Sequence, residues 1–403
     1  MKTRYLILIG SLLLTACGGG GGGGGGGGTS GGITIHGRLL APDHATPIAG
    51  ATVFSPAQLQ AQAYAATVAP AAGCPAPAIP NQAYTCTDAD GRFALTVPAE
   101  STLVPLILQK GAFSTSAQVD LINGQTTLGD ISLPADPAQG AGRFAVIQGA
   151  FDRMEDILAK LGMGRVDNIT HQLIPGTETF ALFADTDPLF MDADADGRAD
   201  IFNFDVVFIN CGQSGEDSVL ATHRQTLHDY VMQGGVLYIT DQAYDFLEQV
   251  FPAYIDFYGD DGLSAAVAEA PDLAETGAGG ISVNADILDS RLRDWLNNVS
   301  CSNGPCLTPD GTVTIQGFLG NWAVMHGSHP GHAAAVTEWV RGDVSWFDPF
   351  SMQTVGPVQK PLTVTLQIGL GKVLYSSYHT DELSFTSGFH PQERILQYLI
   401  FEL

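Results

Sequence analysis

The chain has 403 residues, with 42 Asp and Glu against 17 Lys and Arg and a formal net charge of −25 at pH 7. That balance excludes nucleic acid, whose phosphates demand a basic face, and it excludes a polybasic membrane-binding patch. The acidity is spread along the chain, as suits the solubility of an exported protein, and the length suits two domains.

Lys2 and Arg4 precede an apolar run, Tyr5 to Leu14, that is too short to span a bilayer. Thr15 and Ala16 follow as small residues directly before Cys17. Leu14-Thr15-Ala16-Cys17 resembles the lipobox of bacterial lipoprotein precursors. The resemblance implies a signal peptide over 1–16, a lipid (palmitate) on Cys17, and membrane attachment through that lipid alone, since no later segment is apolar for long enough to cross a bilayer. Gly18 stands where an Asp favours inner-membrane retention in such lipoproteins, so the resemblance favours the outer membrane of the cell envelope. The alternative is an ordinary secretory signal with a chance Cys. Positions 17–32 form a tether containing unbroken glycine from Gly18 to Gly28, which cannot bury a core.

A first domain is expected over 33–133. Ile33, Ile35 and Leu39 alternate with polar residues, Pro47 to Val53 reads as a turn entering a strand, and Thr87 to Leu95 reads as an Asp-Gly hairpin turn followed by a strand. Short strands with frequent turn signals indicate a small antiparallel β-sandwich. The PIAGATV and TDADGRFAL segments resemble carboxypeptidase regulatory-like, prealbumin-like domains, with an Ala/Pro-rich insertion from Ala57 to Gln82. Such domains serve as spacers or binding modules. The hairpin turn accounts for Asp88 and Asp90 without calcium. Cys74 and Cys86 flank a Pro-rich loop, and Cys301 and Cys306 flank the turn Ser-Asn-Gly-Pro, which predicts two local disulfides in an oxidising compartment and leaves Cys211 as the odd thiol.

A linker over 134–141 precedes a change of rhythm. Phe144 to Ile147, Asp205 to Asn210 and Val236 to Thr240 read as core strands, each built on a continuous apolar run. Helical periodicity runs from Phe151 to Leu161 and from Ser218 to Met232; strands at Leu362–Ile368 and Lys372–Ser376 and a closing helix at Glu393–Phe401 follow. The alternation predicts an α/β domain over 142–403 of flavodoxin-like type, a parallel sheet with helices on both faces. The acidic insertion 257–311 is expected to form a lid or a binding surface.

FDVVFINCGQS, LHDYVMQGGVLYITDQAYD and GLGKVLYSSYHTDE resemble segments of the class I glutamine amidotransferase-like fold, in its trehalose-utilisation-type branch. The resemblance implies a ligand site beyond the carboxyl ends of the strands. It also implies a nucleophilic Cys at an elbow after the helix–Gly-Gly–strand unit, with His and Glu from the late strand. His379 and Glu382 match the late-strand pair, but the elbow falls on Asp241 or Gln242. Cys211 lies one strand earlier, at the loop that supplies oxyanion-hole amides in the family. The chain therefore departs from the family where glutamine hydrolysis needs it most. Cys211 as a nucleophile facing His379, Asp241 and His379 as an acid–base pair, and Ser214 as a weaker nucleophile remain as alternatives, beside a free buried thiol and a structural histidine.

Asp192-Ala193-Asp194-Ala195-Asp196-Gly197-Arg198-Ala199-Asp200 places carboxylates at alternate positions, with Arg198 offering its backbone carbonyl. It resembles the DxDxDG calcium loops of exported bacterial proteins and implies a structural Ca2+. Asn203 falls where the closing Glu of an EF-hand stands, and Asp205 is a substitute. His326, His329 and His332 recur every three residues, but Gly327, Pro330 and Gly331 oppose a helix, so an exposed mobile loop is expected. Two functions compete: a non-catalytic binding or scaffolding module for an envelope protein or glycan, carrying a structural calcium, and an envelope hydrolase or amidase using Cys211 or Asp241 with His379.

Overall fold

The computed structural model describes residues 32–56, 74–77, 84–98, 102–212, 216–259, 270–348, 351–380 and 388–403. Cys17, Ser214 and Glu382 lie outside them, as do the tether up to position 31 and most of the Ala/Pro-rich insertion. The described fold is rich in β-structure, divided among several sheets and covered by a few helices. Among the described residues no helix is long and apolar enough to cross a membrane.

Strands β1 Gly32–Leu40, β2 Thr52–Phe54, β3 Tyr84–Cys86, β4 Arg92–Pro98, β5 Leu103–Lys110, β6 Phe113–Asp120 and β7 Thr127–Ser132 make two sheets, ordered β4-β1-β7 and β3-β2-β5-β6. Period-two alternation decides which face is inward: Phe93, Leu95 and Val97 of β4 and Val104, Leu106 and Leu108 of β5 are buried. Two expectations are corrected. β1 pairs with β7 in parallel, so the two sheets are not purely antiparallel. The Asp-Gly turn is no hairpin, because β3 and β4 belong to different sheets. It is a corner in which Asp88 Oδ1 accepts from the Asp90 and Arg92 amides, and Gly91, at φ 75°, packs where a Cβ would meet the Leu39 carbonyl oxygen at 2.3 Å.

The largest sheet has eleven strands among the described residues. β8 Phe144–Ile147, β9 Ala181–Phe183, β10 Val206–Ile209, β11 Val236–Thr240 and the late strand Gly371–Ser376 run parallel in the order β9-β8-β10-β11-late strand. β8 and β10 throughout, and β11 up to Ile239, are apolar because both faces are covered. Phe144, Val146, Phe208 and Tyr238 join one core cluster with the helices Met154–Leu158 and Pro391–Ile400. Ile147, Val207, Leu237 and Ile239 join another with the helix Glu216–Met232.

The sheet is mixed rather than parallel. Beyond the late strand come Gln353–Ile368, Val336–Asp348, Val283–Ile287 and Val313–Ile315, all antiparallel to their neighbours. Gly369 and Leu370 leave room only for a tight reversal, which forces the antiparallel pair. The described part of 257–311 is not a lid. Val283, Ala285 and Ile287 alternate inward as a sheet strand, and the helix Ser290–Asn298, capped by Asp289, buries Trp295 and Leu296 in the core.

The residues from Gly32 onward form one unit with a continuous apolar core. Phe113 packs edge-on against Phe144, Trp295 Nε1 donates to the Pro47 carbonyl at 2.8 Å, and Lys110 pairs with Glu402 at 2.6 Å. Within the segment 134–141, the Gly140 carbonyl accepts from the Ser114 amide at 2.8 Å, which fixes it to β6. Cys74–Cys86 and Cys301–Cys306 are disulfide-bonded, and Cys211 is a buried free thiol.

Candidate functional site

Four adjacent parallel strands end at one place. β8 leads to Asp152, β10 to Cys211, β11 to Asp241 and the late strand to His379. Cys211, Asp241 and His379 are 1%, 1% and 2% exposed, and Asp152 is fully buried. Asp241 stands directly after β11 at φ 41°, a left-handed conformation that a residue with a Cβ adopts only under constraint from its surroundings. Its backbone carbonyl accepts from the Tyr375 hydroxyl at 3.0 Å, and its Oδ1 accepts from the Ala323 amide at 2.7 Å. Oδ2 is thereby aimed at His379, whose Nε2 lies 2.8 Å away as an ion contact. The ring is not aligned for a well-directed hydrogen bond through either nitrogen. The Cys211 amide donates to Thr240 Oγ1 at 2.9 Å, tying the end of β10 to β11.

Burial alone would lower the His379 pKa. The Asp241 contact, and then that with Cys211, outweigh it and push it up to about 11, so the pair carries a proton throughout the neutral range. Burial also raises the Cys211 thiol, against the contact with His379, so sulfur is held as thiol rather than nucleophilic thiolate. Asp152 Oδ1 accepts from the Arg153 amide and from the Thr380 amide and hydroxyl, while its Oδ2 is buried with no partner among the described residues. Beside it, Asn210 Nδ2 donates to Glu155 Oε2 at 2.9 Å, and burial pushes Glu155 up to about 7.

The acidic loop gathers part of its expected ligand set. Asp192, Asp194 and Asp200 offer oxygens within 4.8 Å of one another on the surface. Asp192 and Asp194 accept from the amides of Asp196 and Gly197, and Asp196 accepts from that of Arg198, closing Asx-type turns. Asn203 turns its amide nitrogen, not its oxygen, toward Asp194. The Arg198 guanidinium lies over the Phe202 ring, and Asp205 pairs with Arg143 at 3.2 Å, away from any role as substitute ligand.

His326 is not on an exposed loop. It is half-buried, its side chain 9% exposed, beside Glu275, Trp346 and Lys360 in a cavity of about 610 Å3 that Asp256 and Asp348 also line. Lys360 Nζ lies 3.2 Å from His326 Nδ1 and has only protons to offer, so Nδ1 accepts and the ring proton sits on Nε2, facing Glu275 at 2.5 Å. Burial, then Lys360, pushes His326 down to about 4; burial, then Asp348, pushes Glu275 up to about 7. A second cavity, about 810 Å3, follows the seam around Lys110, Asp205, Lys372 and Glu402. Neither cavity is lined by Cys211, Asp241 or His379.

No protein-family model matches the chain, and no curated protein does. Among solved structures, the chain is similar to the β-galactosidase from Bacillus circulans sp. alkalophilus, with a TM-score of 0.29 and 10% identity over 64% of this chain and 30% of that one. It is similar also to the cold-adapted β-galactosidase from Rahnella sp. R3, with a TM-score of 0.29 and 10% identity over 66% of this chain and 32% of that one. The chain thus spans about a third of those enzymes, and a likeness this slight carries no argument about fold or activity.

The sequence reading missed Asp152 and Glu155 as site residues and set His326 aside as part of an exposed loop. Asp152 and Glu155 had a signal: acids in Asp-Arg-Met-Glu-Asp, directly after a core strand, at the end of a parallel sheet where ligands gather. The contact of Ala323 with Asp241 spans 82 residues of chain and had none.

Proposed function

We propose that the chain is a lipid-anchored cell-envelope protein that works by binding, for an envelope protein or glycan, and not by hydrolysing glutamine. Cys17 carries the lipid, 17–32 is the tether, the two small sheets are a carboxypeptidase regulatory-like module, and the remainder is a flavodoxin-like, amidotransferase-like layer without its nucleophile. The parallel strand order, 2-1-3-4-5 in chain sequence, supports the flavodoxin-like reading. The observation that carries the functional reading is Asp241: the left-handed position after β11, where a thiol would have to stand, holds a buried carboxylate in contact with His379. The cavity beside Trp346 and Glu275 offers a concave polar surface in keeping with a binding role. The loop of Asp192, Asp194 and Asp200 takes a structural calcium in this reading.

The purified chain is expected to release no ammonia from glutamine, and Cys211 to resist iodoacetamide until the protein is unfolded. Glutamine hydrolysis abolished by alkylating Cys211 in the native protein would overturn the proposal in favour of an envelope amidase. In cells, Cys17→Ser is expected to move the protein from the membrane to the soluble fraction.

A further inference from the structure

A sulfur, an oxygen and a nitrogen of three different ligand types meet at the ends of three adjacent strands. One ligand atom from each of Cys211, Asp241 and His379 lies within 4.8 Å of the other two, and all three residues are buried. We propose that Cys211, Asp241 and His379 bind a divalent transition-metal ion of the zinc type, close to the buried carboxylate of Asp152. The inference rests on reading Asp241 as a residue with no nucleophilic duty.

The donor set decides the class of ion. Calcium and magnesium take oxygen ligands, whereas thiolate with imidazole and carboxylate suits a borderline-soft ion in tetrahedral geometry. The surroundings hold the donors as outer-shell partners do: the Ala323 amide occupies Asp241 Oδ1 and leaves Oδ2 inward, and Thr240 fixes the backbone of Cys211. His379 has the opposite problem. Its ring is buried, and neither ring nitrogen has a well-directed hydrogen-bond partner among the described residues. A metal-bound ring uses one nitrogen as donor and leaves a single N–H to satisfy.

The test uses the full chain carrying Cys17→Ser, so that Cys211 is its one thiol outside the two disulfides. Stripped with a chelator and titrated with Co2+, it is expected to bind one cobalt at the thiol site, with tetrahedral visible absorption and a thiolate-to-cobalt charge-transfer band that Zn2+ displaces. Adding Cys211→Ser should remove the band. Asp241→Asn and His379→Gln should weaken binding by at least the roughly 10–100-fold that loss of an outer-shell partner costs. The oxygen-only loop of Asp192, Asp194 and Asp200 cannot produce this band. Absence of the band, or its survival in Cys211→Ser, overturns the proposal. Should the variants not fold, zinc-edge X-ray absorption on the unsubstituted site decides: one sulfur ligand supports it and none overturns it. Ammonia release from glutamine is measured separately, so the metal site and the non-hydrolytic reading can fail independently.

Discussion

Glu216 and Asp245 come from helices on the same side of the sheet, and their carboxylates disturb one another with Asp217 and Asp272 close by. Burial first, and then the charge of Asp245, pushes Glu216 up to about 9; burial pushes Asp245 up to about 6 despite the Asp272 amide that donates to it. Glu216 Oε1 and Asp245 Oδ1 are buried without hydrogen-bond partners among the described residues. For such acids the folded state keeps a proton that the unfolded state gives up. Stability therefore falls as pH rises from the unfolded value of 4.5 toward about 9 and levels off above it. Glu216→Gln is expected to raise Tm relative to the parent at about pH 8 and to match it at about pH 4. Scanning calorimetry across that range checks it, and a gain that persists at acid pH would remove the electrostatic explanation.

At the scale of elements, the ends of the parallel strands are held by close backbone packing. Gly149, in the turn after β8, sits where a Cβ would meet the Cys211 carbonyl oxygen at 2.0 Å and Asn210 Cβ at 2.9 Å. Gly149→Ala must push the β8 turn away from the end of β10, at an expected cost of roughly 1–3 kcal/mol, the range for overpacking. Urea titration would show it as a lower midpoint with an unchanged slope. The acidic loop makes a different prediction, because its aspartates already accept from the loop amides while Asp192, Asp194 and Asp200 still face one another. Calcium added to the chelated protein is expected to raise Tm, and the double change Asp192→Asn with Asp194→Asn to abolish the rise. An unchanged Tm in the parent would dismiss calcium.

Across the molecule, the small sheets and the large one share a core, so they are expected to unfold together. Trp295 is 2% exposed and donates to Pro47, far away in sequence, while Lys110 of β5 reaches Glu402 near the end of the chain. Trp295→Ala should cost roughly 3–5 kcal/mol, as for other large-to-small core changes. Far-ultraviolet and near-ultraviolet circular dichroism of the parent should trace one coincident transition. Two separated transitions would mean that the sheets are independent domains despite the shared core.

The strands Phe144–Ile147 and Val236–Thr240, the helix starting near Ser218, and both disulfides were legible in the sequence because each is written locally, as apolar runs, 3.6-residue periodicity, or cysteines a few residues apart. So was the meeting of Cys211, Asp241 and His379, since parallel strands deliver their ends to one edge whatever their side chains are. The sequence by itself also determined that Leu14-Thr15-Ala16-Cys17 resembles a lipobox and is followed by a glycine run, and that Asp241-Gln242, not a cysteine, stands directly after β11. Tertiary structure alone decided that β1 and β7 run parallel, that the segment expected to be a lid or a binding surface supplies a sheet strand with a core helix, and that His326 is half-buried beside Glu275. Each of these depends on partners distant in the chain. Pairing direction and burial are set by which distant surface arrives, and alternation such as Val283-Asn284-Ala285-Asp286-Ile287 says only that one side will be covered.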